Sequence, residues 1–106
     1  VFGTGEQTRD YLHISDVTGA YEMLFNHPEL RGEVINFGSG KATRIKDIAE
    51  YVAKKLNGKV VYAEGRPGEA SNMIADSSKA KRLLGWEPKI NIYEGIDRYI
   101  EWRKNI

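Results

Sequence analysis

The segment that most constrains this chain is a helix set between two short strand-like runs. Over Thr43 to Leu56, Ile45, Ile48, Ala49, Val52 and Leu56 recur at helical spacing and form one apolar stripe. Thr43 is a suitable N-cap. Asp47 and Glu50 come early and Lys54 and Lys55 late, as the helix dipole favours, and Asn57-Gly58 ends the helix. Val34-Ile35-Asn36-Phe37 precedes it across a Gly38-Ser39-Gly40 turn, and the β-branched run Lys59 to Ala63 follows. A helix with one apolar stripe must bury it against another layer, so strand–helix–strand order points to an α/β fold.

The rest of the chain extends that order. Val1-Phe2 and Arg9 to Ile14 read as strands around a loop holding Gly3 and Gly5. Along the second strand Asp10, Leu12 and Ile14 share one face, while Arg9, Tyr11, His13 and Ser15 share the other. Ser15 or Asp16 is expected to cap a helix carrying Val17, Ala20, Tyr21, Leu24 and Phe25, stopped by Pro28. Asn72 to Ala75 reads as another short strand. Asp76 or Ser77 would cap a brief helix through Ala80, Leu83 and Leu84 that closes at Gly85, with Trp86 and Pro88 turning back onto it. Asn91 followed by Glu94 resembles a capping box, and the last helix shows Ile92, Ile96, Tyr99 and Ile100, with Trp102 at its edge.

The expected architecture is therefore α/β, with short strands and about four helices, in one domain spanning residues 1–106. Its strands are few and short for an independent sheet, and Val34 to Phe37 calls for neighbours. The chain opens on Val1-Phe2 rather than methionine, as an excised or processed protein would. Unpaired strand edges and apolar surface then favour self-association, in its simplest form a homodimer.

Composition narrows function mainly by exclusion. Sixteen basic and 15 acidic residues leave a net charge of +1, so no broad field draws the chain to nucleic acid or membrane. The absence of cysteine rules out a disulfide scaffold, a thiolate metal site and a cysteine nucleophile, and fits a cytoplasmic setting. There is no signal peptide and no apolar run of membrane-spanning length. His13 and His27 lie far apart without a second metal ligand beside either, so no metal is expected.

Three motif matches fail. Gly38-Ser39-Gly40-Lys41-Ala42-Thr43 sits where a dinucleotide loop would, but threonine replaces the third glycine. The Gly-Lys-Ser/Thr phosphate loop fails too, because Ala42 takes the hydroxyl position and Ile35 that of the leading glycine. Tyr51 and Lys55 match the Tyr-x-x-x-Lys catalytic signature of short-chain dehydrogenases, yet two common residues at this spacing more readily form a surface pair.

Two arginines are stronger candidates. Arg9 follows a glycine-flanked turn, and Arg66 lies in Gly65-Arg66-Pro67-Gly68-Glu69, where the backbone is sharply shaped. Guanidinium forks match phosphate oxygens in bidentate fashion. From residue types alone, a surface pairing of Arg9 with Asp10 or Asp76, and of Arg66 with Glu64 or Glu69, is the simpler alternative.

The ordered set of motifs resembles a known family. Gly3-x-Gly5-x-Gln7-x-Arg9-Asp10-Tyr11-x-His13-Ile14-x-Asp16 is followed by Asn36-Phe37-Gly38-Ser39-Gly40 and Arg66-Pro67-Gly68-Glu69. Ala75-Asp76-x-Ser78-Lys79-Ala80, Leu84-Gly85-Trp86-x-Pro88 and Glu94-Gly95-Ile96, with Trp102, complete it. Together these resemble the C-terminal substrate-binding portion of extended, Rossmann-type short-chain dehydrogenase/reductases acting on nucleotide sugars, notably UDP-glucose 4-epimerases and related dehydratases. The resemblance covers essentially all 106 residues.

It implies that Arg9 and Arg66 bind the diphosphate of a UDP- or dTDP-linked sugar, that Glu69 lies near the nucleoside, and that Tyr11 and Asn36 lie nearby. Some epimerases carry aspartate where this chain has Glu69, which leaves the sugar and nucleotide open. The family's NAD-binding glycine motif and catalytic Tyr-x-x-x-Lys belong to an N-terminal Rossmann portion. The resemblance thus implies NAD in the full-length enzyme, none bound by these residues alone, and no turnover by this segment. A non-catalytic nucleotide- or protein-binding module and an NAD(P)-dependent nucleotide-sugar reductase are the alternatives.

Overall fold

The computed structural model describes residues 1–68 and 71–106. In chain order the elements are β1 (Thr8–Arg9), α1 (Ile14–Phe25), a 3-10 turn (Pro28–Leu30), β2 (Thr43–Arg44), α2 (Ile45–Leu56), α3 (Ser78–Leu84) and α4 (Ile92–Lys104). They sort into two units, each built from separated stretches: Val1–Asp10 with Lys41–Ile74, and Tyr11–Gly40 with Ala75–Ile106.

In the first unit, β1 and β2 pair antiparallel, with Thr8 opposite Arg44 and Arg9 opposite Thr43. The strand expected over Arg9 to Ile14 is thus confined to Thr8–Arg9. Among the described residues, Lys59 to Ala63 contributes a single parallel bridge, Phe2 to Ala63, and Asn72 to Ala75 forms no ladder. Thr43 does not cap α2, because its backbone is engaged beside Arg9. The position before α2 is Arg44, which makes no side-chain cap. Backbone carbonyls fill the role: Ile45 N–H donates to Gln7 O and Lys46 N–H to Gly5 O, each at 3.0 Å. Two of the donors that a helix start leaves unsatisfied are thereby met by the Gly3–Gln7 loop. At the other end Asn57 adopts the left-handed conformation, φ 54°, and Gly58 N–H returns to Ala53 O at 2.8 Å.

This arrangement explains Gly5. Its φ is +76°, and a Cβ there would stand 2.6 Å from Lys46 Cβ and 3.0 Å from Val1 Cγ1. The loop can reach the first turn of α2 only without a side chain at this position.

The second unit has its core at Ala20, Ala80 and Trp86, with Leu12, Met23, Ile35, Phe37 and Leu84 against it. Small residues on α1 and α3 leave room for the indole of Trp86, which meets Phe37 edge to face at 5.0 Å between centroids. Asp16 is buried here, at 6% exposure. It is not the α1 cap. That role falls to His13, whose Nδ1 accepts from Ser15 N–H at 3.1 Å. Asp16 instead accepts from Lys89 N–H at Oδ1 (3.0 Å) and from Ile90 N–H at Oδ2 (3.1 Å). Its own carbonyl accepts from Trp86 Nε1–H at 3.1 Å. One residue thus fastens the 86–90 turn onto the first turn of α1.

Val34 to Phe37 forms no ladder among the described residues, and Val34 is 79% exposed. Its carbonyl accepts instead from Lys79 Nζ at 3.0 Å. Tyr21 and Phe25, expected on the buried stripe of α1, are exposed, Phe25 at 85%. The core side of α1 is met by Ala20 and Met23. Ser77 precedes α3, but its hydroxyl spans Gly38, accepting from the N–H at 2.8 Å and donating to the O at 2.9 Å. Asp76 Oδ1 takes the Ser78 N–H at 3.0 Å, a bond that lowers its carboxyl below the ordinary range. Asn91 caps α4 through Glu94 N–H at 2.9 Å, while the Glu94 carboxylate reaches Arg98 at 3.1 Å. Trp102 is exposed and stacks at a tilt on Tyr99 rather than entering a core.

Two stability measurements test this account. Asp16→Asn puts an amide donor against one of two backbone N–H groups, and we expect a loss of about 1–3 kcal/mol in urea unfolding. Gly5→Ala should cost more than Gly85→Ala. Gly85 also has a positive φ, +68°, but a Cβ there meets nothing within 4 Å. The alanine at Gly85 therefore carries only the left-handed backbone cost of about 1–2 kcal/mol, and equal losses at both sites would refute the close approach at Gly5.

Candidate functional site

The candidate site is organised by residues 2–9. Thr8 is its junction. The Thr8 N–H donates to Ser71 O at 2.9 Å, and its hydroxyl bonds to the Asn72 side-chain oxygen. At the other end of the same loop, Gly3 N–H donates to Ala63 O at 2.8 Å, and Ala63 N–H to Val1 O at 2.7 Å. The segment carrying Arg66 therefore leaves from Gly3 and returns to Thr8, the residue before Arg9.

Both arginines lie in this unit. Arg9 is half-buried on β1, and its Nη1 donates to Thr8 O at 2.7 Å. The Arg66 guanidinium lies over the ring of Phe2, 4.4 Å from its centroid.

A separate set of charges surrounds the start of α2. Glu6 reaches Lys46 at 2.7 Å and Arg44 at 3.3 Å, and Arg44 also binds Asp47 at 3.0 Å. The Lys46 hydrogen bond holds the Glu6 carboxyl below its ordinary range and raises Lys46 in turn. Asp47 is the main cause of the upward shift at Arg44. These cations are matched to carboxylates on the surface, where such pairs are screened and contribute little.

The other expected site residues fall differently. Tyr11, half-buried, and Asn36, exposed, belong to the second unit. Glu69 lies outside the described residues. Among the described residues, no cluster of His, Cys, Asp or Glu could hold a metal. No helix among them is long and apolar enough to cross a membrane.

The structure also accounts for the rejected motifs. In a phosphate loop the Gly38 N–H would point at the ligand; here it is engaged by Ser77. Tyr51 and Lys55 form a cation–π pair, with Nζ 5.5 Å from the ring centroid, at the surface of α2. Sequence reasoning passed over Phe2, Thr8 and Asn72. Phe2 and Thr8 flank the glycine turn, but nothing in their types marks the partners they find some 60 residues later.

Known proteins resemble this chain over nearly its whole length. The family profile described as GDP-mannose 4,6 dehydratase matches residues 1–99. The UDP-glucuronate 4-epimerase of Thermodesulfobacterium geofontis is 36% identical over 107 residues, which cover 98% of this chain and 32% of that protein. Among solved structures, UDP-glucose 4-epimerase from Thermotoga maritima with UDP-glucose superposes with a TM-score of 0.86 at 31% identity, over 99% of this chain and 34% of its own. A variant of UDP-glucuronic acid 4-epimerase from Bacillus cereus, in complex with UDP-4-deoxy-4-fluoro-glucuronic acid and NAD, gives 0.87 at 30% identity, again over 99% and 34%. The chain spans about a third of the length of the relatives it matches. On this profile match and these identities, the chain belongs to the nucleotide-sugar epimerase and dehydratase family described as GDP-mannose 4,6 dehydratase, and corresponds to its C-terminal portion.

Proposed function

We propose that this segment grips the diphosphate of a UDP- or dTDP-linked sugar for an NAD-dependent epimerase or dehydratase, with Arg9 and Arg66 as the two grips. The observation that carries the reading is their common anchorage. The Arg66 loop starts at the Gly3–Ala63 bond and returns at Thr8–Ser71, so both arginine-bearing segments are anchored on residues 2–9. A diphosphate concentrates negative charge over a few ångströms, and two planar forks from one scaffold suit it better than two independent lysines. Glu69, Tyr11 and Asn36 are assigned to the nucleoside and its surroundings, following the family resemblance.

The hydride chemistry is assigned elsewhere. Bound to such an enzyme, NAD would accept and return a hydride, but the residues here do not suit it. The Gly38 N–H is taken by Ser77, and Thr43 is committed to the strand beside Arg9. In the intact enzyme, Val34 to Phe37 would join the sheet of the dinucleotide-binding portion. The role of this chain is then to hold the nucleotide still, so that the binding energy of a remote group is used to position the sugar.

Calorimetric titration of the intact enzyme with UDP tests the grip. Each charge-assisted contact contributes about 1.5–3 kcal/mol when shielded from water, so Arg9→Ala and Arg66→Ala should each weaken binding about 10- to 100-fold. Melting temperatures should change little. Wild-type affinity in both variants would overturn the reading. The 106-residue chain alone should show no turnover of UDP-glucose or UDP-glucuronate, and measurable turnover would overturn the division of labour.

A further inference from the structure

We propose that the outward side of α1 is an interface of the intact enzyme, covered by an apolar layer of the polypeptide that precedes this C-terminal portion. The proposal goes beyond the diphosphate grip and does not depend on it. Its starting point is a mismatch between sequence and packing. The apolar stripe of α1 runs through Ile14, Val17, Tyr21, Leu24 and Phe25, which span about 100° of the helix surface. The core takes the other side, at Asp16, Ala20 and Met23. Val17 and Leu24 are half-buried at the border, while Ile14, Tyr21 and Phe25 are 67%, 61% and 85% exposed.

Polar residues do not offset this exposure. Of the two charges on α1, Asp16 is engaged by the 86–90 turn, and Glu22 shares the remaining strip with Ser15 and Thr18. A helix with apolar residues on both sides is one that is covered on both sides. By contrast α2 sets lysines and acids around its single stripe, as a surface helix does. Three large apolar side chains on one exposed helix side mark a contact surface.

Two observations point to what covers it. The chain matches the C-terminal third of its relatives, so in this family about two thirds of the polypeptide comes before it. Within the same unit, Val34 to Phe37 follows α1 across the 3-10 turn, forms no ladder among the described residues, and leaves Val34 79% exposed. The strand lacks a sheet and the helix side lacks an apolar layer. One preceding portion that carries a sheet and the layers packed on it supplies both. A second copy of this chain would bring no such sheet, since its ladder among the described residues is Thr8–Arg9 with Thr43–Arg44. A cover joined through the backbone also avoids the cost of bringing two molecules together.

The test is photo-crosslinking in the intact enzyme, with Tyr21 and Phe25 replaced singly by p-benzoylphenylalanine. Digestion and mass spectrometry should map the crosslinks to peptides preceding Val1, within a chain that migrates as a monomer on a denaturing gel. Crosslinks that join two chains, crosslinks confined to residues 1–106, or none at all would each overturn the proposal. If the bulky probe prevents folding, melting of alanine variants of the intact enzyme answers the same question. Phe25→Ala should lower the melting temperature by about 5–10 °C, as loss of a covered ring does. Glu22→Ala, on the polar strip, should leave it within about 1 °C. A parental melting temperature for Phe25→Ala would show the ring to be solvated and overturn the interface. The UDP titrations of Arg9→Ala and Arg66→Ala are unaffected by either result, so the grip and this interface stand or fall separately.

Discussion

The first unit depends on two backbone hydrogen bonds, from Ile45 N–H to Gln7 O and from Lys46 N–H to Gly5 O. A helix start without a side-chain cap leaves donors that need partners, and here a loop from the far end of the unit supplies them. That fixes the loop in register with α2, and the rest follows from the fixed loop. Phe2 is placed to meet Ala63, Thr8 to receive the chain at Ser71, and Arg9 to pair with Thr43. Gly5 is the cost of this arrangement, since only a residue without a Cβ approaches the helix closely enough. The unit therefore has very little regular sheet and yet holds two arginine-bearing segments in a defined relation.

The second unit solves a similar problem with a side chain. The 86–90 turn contains Pro88 and presents two consecutive N–H groups that no helix or strand would satisfy. Asp16 takes one on each carboxylate oxygen while its carbonyl takes the Trp86 indole N–H. A buried carboxylate is tolerable only with its oxygens occupied, and here both are. Because His13 caps α1, Asp16 can point inward, which explains why an acid in the first turn is buried rather than solvated.

What could be read from sequence was local. The stripe of α2, the Asn57 stop, the Gly85 stop and the Asn91 cap each depend on residues within a turn of one another, and they fall where their chemistry puts them. Strand signals overstate the sheet, because β-branched runs such as Lys59 to Ala63 express a preference that only a neighbour can satisfy. Thr43 illustrates the competition: a good cap by type, it was displaced by carbonyls some 40 residues away that cap the helix better in space. Tyr21 and Phe25 show the limit of periodicity, which identifies a helix but not which of two apolar sides meets the core. At the candidate site, Arg9 and Arg66 stood out by type and by turn chemistry. Phe2, Thr8 and Asn72 did not, because their significance lies entirely in long-range partners.

The proposed grip also explains how one such segment could serve enzymes of different names. UDP-glucose and the UDP-glucuronic acid analogue, held by the two solved relatives, differ in the sugar and share the diphosphate. Arginines directed at that shared group are indifferent to the epimer or oxidation level of the sugar. A scaffold built around backbone bonds, with positions such as Gly5 constrained by space, tolerates little variation where the arginines hang. Discrimination between sugars must then come from side chains that touch what differs, outside the Gly3–Thr8 frame. On this view the anchoring loop sets how firmly the nucleotide is held, while the choice of sugar is made elsewhere in the enzyme.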